Sequence, residues 1–298
     1  MRQIAVIGSG QMGNGIAQVF AQQELNVQLV DVDAQALERA VSTITRNVDR
    51  LIDKGQVEGS KRDQILQSIR TSTDLEASVK NCDLIIEAVP EKLDLKQRIF
   101  VSLDQCAPPH CILASNTSSI SITRIASMTR RPDQVIGMHF MNPVPIMRLV
   151  EVIRGYATSD ETANKIMEVS RLLGKDPVEV NDYPGFISNR ILMPMINEAI
   201  QSLFEGVAGV EEIDTVMRLG MAHPMGPLHL ADFIGLDTCL SILRVLQDGF
   251  GNPKYAPSPL LVNMVTAGKL GVKTGEGFYR YTPGSKEKQV APHFQKKQ

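Results

Sequence analysis

The sequence predicts an α/β domain built on a mostly parallel sheet, followed by an all-α domain. Three observations carry this. The length of 298 residues suits two domains at roughly 150 residues each. Short, near-continuous apolar runs alternate with helical repeats up to about residue 115, as expected of strands buried on both faces with helices between them. Beyond Phe186 no strand pattern of useful length returns before the tail.

The elements follow in order. Residues 4–7, 27–30, 84–88 and 111–114 are the apolar runs, read as parallel strands. Leu37, Val41, Ile44, Val48 and Leu51 recur every three or four positions, one stripe of a long helix. Ser60 opens a shorter helix with a capping-box-like start, and residues 94–103 form another, ended by Cys106-Ala107-Pro108-Pro109. Strands 135–140 and 148–153 are separated only by Met141 to Met147, too little chain for a helical crossover, so they are expected to pair antiparallel. A helix over 160–173 stops at Gly174, and a last strand at 178–180 leads into the boundary at 182–185. In the second domain Ile187, Ile191, Leu192, Met195, Ile196, Ala199, Ile200 and Leu203 make a wide apolar stripe, with further helices near 210–219, 227–233, 236–246 and 259–267. The expected division is 1–183, 184–282 and a polar tail, 283–298, that frays. Helices apolar on more than one face point to a homodimer.

Composition narrows the class. Hydrophobic residues make up 43% and charged residues 21%, which excludes disordered and fibrous chains. Lys and Arg total 31 against 33 Asp and Glu, a net charge of −2, so no basic excess suggests nucleic acid or a membrane surface as partner. The N-terminus enters a strand almost at once, leaving no room for a targeting peptide, and no apolar run reaches the roughly 18–20 residues of a membrane span. Cys82, Cys106, Cys111 and Cys239 show neither zinc nor redox spacing, even with His110 beside Cys111. No metal is expected, and free thiols suit the cytoplasm.

Gly8-Ser9-Gly10-Gln11-Met12-Gly13 has the form G-x-G-x-x-G directly after a strand and at the head of a helical pattern. Gly8 allows a tight turn, Gly10 lets the backbone approach a pyrophosphate, and Gly13 permits close helix packing, while the helix N-terminus offers N–H groups to phosphates. Asp31 ends the second strand, placed to accept hydrogen bonds from a ribose diol; its charge would repel a 2′-phosphate, so NAD is expected over NADP. The first domain is thus read as Rossmann-like and dinucleotide-binding.

His139 lies at the end of strand 135–140, where α/β folds place ligands. Glu151 shares a strand face with Leu149 and Ile153, and a carboxylate on an apolar face needs a partner. Paired with His139 it would support a base usable near neutral pH, or the two would simply satisfy each other structurally. Ser115-Asn116-Thr117-Ser118-Ser119 either lines a pocket or caps a helix starting at Ser119. Asn189, on an apolar helical stripe, needs a hydrogen-bond partner from protein or ligand. Asn47, Arg50 and Lys54 form a polar stripe whose plainest reading is a solvated helix edge.

Taken together, the glycine motif with Asp31, Glu87-Ala88-Val89-Pro90-Glu91, Ser115 to Ser119, His139-Phe140-Met141-Asn142-Pro143 and Pro184-Gly185-Phe186-Ile187-Ser188-Asn189-Arg190 resemble the 3-hydroxyacyl-CoA dehydrogenases, most of all the stand-alone short-chain, 3-hydroxybutyryl-CoA type. The resemblance runs over about residues 4–281, including Pro224-Met225-Gly226-Pro227 and the stretch from Lys273 to Tyr279. It implies NAD-dependent interconversion of (3S)-3-hydroxyacyl-CoA and 3-oxoacyl-CoA in fatty acid or butanoate metabolism. His139 would be the catalytic acid/base and Glu151 its partner. Ser118 and Asn189 would hold the substrate oxygen, and Asn142 both nicotinamide and substrate. Gly8, Gly10, Gln11, Met12, Gly13, Asp31, Glu91, Lys96, Asn116 and Lys273 would surround NAD, and Asn47 and Lys54 would meet the CoA tail. Asn47 stands where some members have serine, and Leu228 where an aromatic is more usual. Three rivals remain. A related sugar-acid (gulonate 3-) dehydrogenase shares the glycine motif and His-x-x-Asn-Pro. A hydrolase would use Ser118, His139 and Glu151 as a triad but lacks a G-x-S-x-G elbow. A non-catalytic NAD-binding protein would keep only the fold.

Overall fold

In the computed structural model, residues 1–282, 284 and 287–295 are described, and the chain divides at Phe186 into two units, each with its own core. The first unit runs β1 (Gln3–Ile7), α1 (Gln11–Ala21), β2 (Asn26–Val30), α2 (Ala34–Asp53), α3 (Arg62–Gln67), β3 (Ile69–Ser72), α4 (Leu75–Val79), β4 (Leu84–Glu87), α5 (Leu93–Cys106), β5 (Ile112–Ser115), α6 (Ile122–Ala126), β6 (Val135–Phe140), β7 (Leu149–Arg154), α7 (Asp160–Leu172) and β8 (Asp176–Asn181). The eight strands form one sheet in the order β3-β2-β1-β4-β5-β6-β7-β8. β1 to β6 are parallel, β7 turns back antiparallel to β6, and β8 runs parallel to β7. Strand order reverses between β1 and β4, which opens a crevice at their carboxyl ends.

Sequence explains most of these elements. β4, β5 and β6 are buried at every position, and their residues form the continuous apolar runs that a doubly covered strand requires. α2 starts where the Asp33 side chain accepts the Gln35 amide at 2.9 Å, and it buries Leu37, Ala40, Ile44 and Val48. α7 is capped by Ser159 and ends before Gly174, which takes the left-handed conformation (φ 71°) that a helix C′ position favours.

The edges differ from expectation. β3 has Ile69 as its lone apolar residue and no periodicity to announce it; it is an edge strand, half solvated. β8, the other edge, extends on both sides of the expected 178–180. Ser60 lies in a 3₁₀ turn (Gly59–Lys61) ahead of α3 and makes no side-chain cap.

The second unit is helical as expected: α8 (Ser188–Phe204), α9 (Val210–Gly220), α10 (Pro227–Ile234), α11 (Leu236–Phe250) and α12 (Pro259–Thr266). Its core includes Met193, Ile196, Ile200, Leu228, Leu243 and Phe278. The tail does not simply fray. β9 (Tyr279–Tyr281) pairs antiparallel with β10 (Lys288–Val290), and the Lys288 ammonium lies 3.8 Å from the Tyr279 ring centroid. Residues 283, 285–286 and 296–298 of the expected tail lie outside the described residues.

Two buried carboxylates tie this hairpin to the helices. Asp214 of α9 accepts the amides of Leu228 and His229 and the Tyr279 hydroxyl (2.7 Å). Asp232 of α10 accepts the amides of Phe278 (3.0 Å) and Tyr279 (2.9 Å) and the Tyr281 hydroxyl (2.9 Å). Burial pushes the Asp232 carboxyl up to about 6, against these three donors and with help from the Asp214 charge. A carboxyl raised by folding holds its extra proton in the folded state, so its contribution to stability falls as pH rises through the window from about 4 to 6. We therefore expect the stability of the wild type relative to Asp232→Asn to drop by up to about 3 kcal/mol between pH 4 and 7. Thermal unfolding of both proteins across that range checks this, and a pH-independent gap would place the carboxyl near its ordinary value.

Candidate active site

The turn after β1 shapes the crevice. Gly8 has φ +99°, and a Cβ there would stand 2.7 Å from the Ala88 carbonyl oxygen, so the loops after β1 and β4 approach as closely as they do only with glycine. A Cβ on Gly13 would fall 1.8 Å from the Gly8 carbonyl oxygen, which pins α1 against the turn. Gly10 is the opposite case: a Cβ there meets nothing within 4 Å, and as the N-cap of α1 it offers no side-chain cap. Open space above uncapped amides fits a dinucleotide pyrophosphate. Asp31 closes the far side, its Oδ2 accepting the Ser9 amide (2.7 Å) and hydroxyl (2.8 Å) and its Oδ1 the Asp33 amide (3.1 Å). Partial burial pushes this carboxyl up, but the hydrogen bonds from Ser9, Asp33 and Val32 outweigh it and hold it below the usual carboxylate range. The group is thus an anion with acceptor capacity left for a ribose diol. Of the two remaining motif residues, Met12 packs on the core. Gln11 donates from Nε2 to the Asn142 Oδ1 at 3.1 Å, which joins the glycine turn to the segment after β6.

β6 and β7 bring the chemistry together. His139 and Glu151 are direct partners in the antiparallel register. His139 Nδ1 lies 2.7 Å from Glu151 Oε2, and Nε2 lies 3.0 Å from Ser118 Oγ. Glu151 is fully buried and the imidazole only 8% exposed. A carboxylate accepts only, so Nδ1 carries the proton toward Glu151 and Nε2 is left as the acceptor facing the hydroxyl. Phe186, buried at the end of the unit, covers the imidazole with ring centroids 5.9 Å apart.

A second polar network fixes the loop that carries Ser118. Lys96 is 1% exposed and its ammonium lies 2.7 Å from Glu87 Oε1 and 3.2 Å from Glu91 Oε2. The other Glu87 oxygen accepts the Ser115 hydroxyl at 2.7 Å. Glu91 Oε1 accepts the Thr117 hydroxyl, the Ser118 amide (3.1 Å), the Ser119 amide (3.0 Å) and the Ser119 hydroxyl (3.0 Å). Desolvation raises the Glu91 carboxyl, and the Lys96 charge with these hydrogen bonds more than reverses it, so it sits below its ordinary value. Asn116 Oδ1 accepts the Phe140 amide at 2.9 Å, stitching the end of β5 to that of β6. Lys96 is therefore a buried strut beneath the crevice. Glu87, fully buried, is the member that residue-by-residue reading did not single out; a carboxylate closing an apolar strand was its one signal.

The other expected residues are more scattered. Asn47 donates to Gln18 Oε1 at 3.3 Å across the α1–α2 contact. Lys54 is the exposed C-cap of α2. Asn189 and Lys273 belong to the second unit, where Asn189 sits in the first turn of α8 and Lys273 pairs with Asp237. The Cys106 thiol donates to the Ser102 carbonyl and His110 pairs with Asp83, and no cluster of three or more metal-ligand types occurs among the described residues.

Known proteins match the same pattern. The profile of the 3-hydroxyacyl-CoA dehydrogenase NAD-binding domain fits residues 3–183, and that of the C-terminal domain of the same family fits 185–281. A probable 3-hydroxybutyryl-CoA dehydrogenase of Bacillus subtilis is 54% identical over 94% of this chain and 98% of its own. A 3-hydroxybutyryl-CoA dehydrogenase of Bradyrhizobium diazoefficiens is 52% identical over 94% and 96%. The crystal structure of (S)-3-hydroxybutyryl-CoA dehydrogenase from Ralstonia eutropha matches with a TM-score of 0.92 at 49% identity, over 95% of this chain and 99% of that one. Sheet order, glycine cradle, buried His139–Glu151 pair and these matches converge: the chain belongs to the 3-hydroxyacyl-CoA dehydrogenase family.

Proposed function

We propose that this protein interconverts (3S)-3-hydroxyacyl-CoA thioesters of short chain, such as 3-hydroxybutanoyl-CoA, with their 3-oxo forms, using NAD. The observation that carries the reading is the row Ser118–His139–Glu151 in the unit that also holds the dinucleotide cradle. Bound in that cradle, NAD+ supplies a hydride acceptor. His139 Nε2 takes the proton of the C3 hydroxyl, and Glu151 at 2.7 Å stabilises the imidazolium that results. The Ser118 hydroxyl, 3.0 Å from Nε2, marks where the substrate oxygen must come and donates to it as the carbonyl forms. Asn142 holds nicotinamide and substrate together, the role the family resemblance implies for it. In reduction His139 returns the proton.

The triad-hydrolase reading is not supported. The Ser118 and Ser119 amides, which could have served an oxyanion, donate to Glu91 instead.

α8 exposes Ile191 and Phe204 and α9 exposes Val216 and Leu219, which supports a homodimer formed through the second unit. Light scattering at micromolar concentration should find two subunits; a monomer alone would refute this. Four free cysteines, of which burial raises Cys111 and Cys239 to about 12, support a reducing compartment such as the cytoplasm. No described helix is long and apolar enough to cross a membrane.

The direct test is NADH oxidation with acetoacetyl-CoA, with gulonate and NAD+ and a simple ester assayed alongside; activity on either control alone overturns the proposal. His139→Gln should lower turnover by ~10²–10⁴ while NADH binding, followed by fluorescence, stays near normal. Turnover close to wild type would remove the histidine from the mechanism. Lys54→Ala should raise KM for acetoacetyl-CoA and leave KM for the N-acetylcysteamine thioester unchanged, with the penalty shrinking at high salt. Equal effects on both thioesters would make Lys54 a surface lysine with no CoA contact.

A further inference from the structure

Lys175 follows Gly174 at the junction of α7 and β8 and is only 7% exposed. Its ammonium donates to two backbone carbonyls, those of Val144 and Met147 (2.8 Å), and no carboxylate pairs with it among the described residues. Both carbonyls belong to the turn that follows Asn142, in which the amides of Ile146 and Met147 converge on the Pro143 carbonyl at 3.0 and 2.9 Å. Val144 is buried on the other side of that turn, against α1: a Cβ on Gly15 would lie 2.9 Å from the Val144 Cβ. The turn is thus held between a lysine and the helix that begins at the glycine motif. Asn142 Oδ1 meets Gln11 Nε2 from the same turn, which leaves its Nδ2 for a ligand.

We infer that Lys175 is a positioning residue for Asn142: by bridging the Val144 and Met147 carbonyls it fixes the turn, and through the turn the aim of the Asn142 amide. The inference rests on the function proposed above, in which Asn142 holds nicotinamide and substrate together. Two alternatives to a lysine would fail there. An apolar side chain takes the lysine donor away from both carbonyls, that of buried Val144 included, and a shorter polar one does not span them. A cavity of about 440 Å³, bounded by Val19, Pro145, Ile146, Leu173 and Lys175, lies beside the turn and gives it room to relax when the bridge is removed. Burial pushes the Lys175 ammonium below the usual lysine range, yet a neutral amine still has two N–H donors for two carbonyls, so the bridge survives loss of the charge.

The test uses the full chain with Lys175→Met. Hydrogen exchange should rise at the Ile146 and Met147 amides while the rest of the sheet keeps its protection. Turnover of acetoacetyl-CoA should fall about 10- to 100-fold, the scale of a small misplacement of a reacting group, with NADH affinity little changed. In an Asn142→Ala background Lys175→Met should cost little more, because the two act through one amide. Where the methionine variant does not fold, Lys175→Gln, whose shorter side chain does not span both carbonyls, serves the same measurements with the same expected losses. Unchanged exchange and turnover, losses that multiply with Asn142→Ala, or protection lost throughout the unit would each overturn the inference. A wild type inactive on acetoacetyl-CoA would count against the proposed function, and exchange alone would then judge the bridge.

Discussion

Glu151 is a carboxylate with no exposed surface in the middle of β7, and burying such a group is tolerable only if a hydrogen-bonded partner meets it there. That need fixes much of the first unit. The partner is His139 directly across the antiparallel ladder, so a slip of one residue between β6 and β7 would send the imidazole to the opposite face. The short connection from Met141 to Met147 sets that register, and it carries Asn142 toward the glycine turn. The same strand pair therefore joins His139 to Glu151 and brings Asn142 beside the glycine turn.

The Glu87–Lys96–Glu91 group obeys the same constraint and illustrates its cost. Buried ion pairs contribute little net stability, since desolvation offsets most of their attraction. Here the arrangement gives geometry. Lys96 draws two carboxylates together from the end of β4 and the loop after it. Glu87 takes Ser115 at the end of β5, and Glu91 takes the amides of Ser118 and Ser119. The serine that faces His139 is held from below by charges that no solvent reaches on the Lys96 side. A looser, apolar substitute would fill the space and leave the loop without a fixed aim.

What the sequence discloses follows from how local each signal is. β1, β4, β5 and β6 declare themselves because central parallel strands are largely apolar, and the glycine turn does because Gly8 and Gly13 leave no room for a side chain. The His139–Glu151 pair was legible because the hairpin is short. The edge strands β3 and β8 were legible poorly or not at all, since half-solvated residues need not be apolar. The pairing of β9 with β10 was hidden for a different reason: its anchors, Asp214 and Asp232, lie far away in sequence on α9 and α10. Lys175 was invisible for a third reason. A lysine after a helix-ending glycine reads as solvated, and only the position of the 143–147 turn makes it a buried donor.

A serine, a histidine and a carboxylate in a row do not by themselves define a reaction. A nucleophilic serine creates an oxyanion and needs donors aimed at it. In this protein the adjacent amides are already occupied by Glu91, and Glu91 is held ionised by Lys96 and its hydroxyl neighbours. Negative charge growing beside it would be repelled. The proposed oxidation of an alcohol forms no tetrahedral oxyanion on the serine; it asks for a donor at the substrate oxygen, and the Ser118 hydroxyl stands beside His139 to supply it. In the proposed reaction the hydroxyl proton would move to His139 and hydride would leave the carbon, so the charge that remains would be a cation on an imidazole facing the buried Glu151. The field of the pocket favours that outcome: a carboxylate behind the imidazole, a neutral hydroxyl in front of it, and the Ser118 and Ser119 amides already donating to Glu91. What surrounds the row of three side chains favours the proposed proton transfer over acyl transfer.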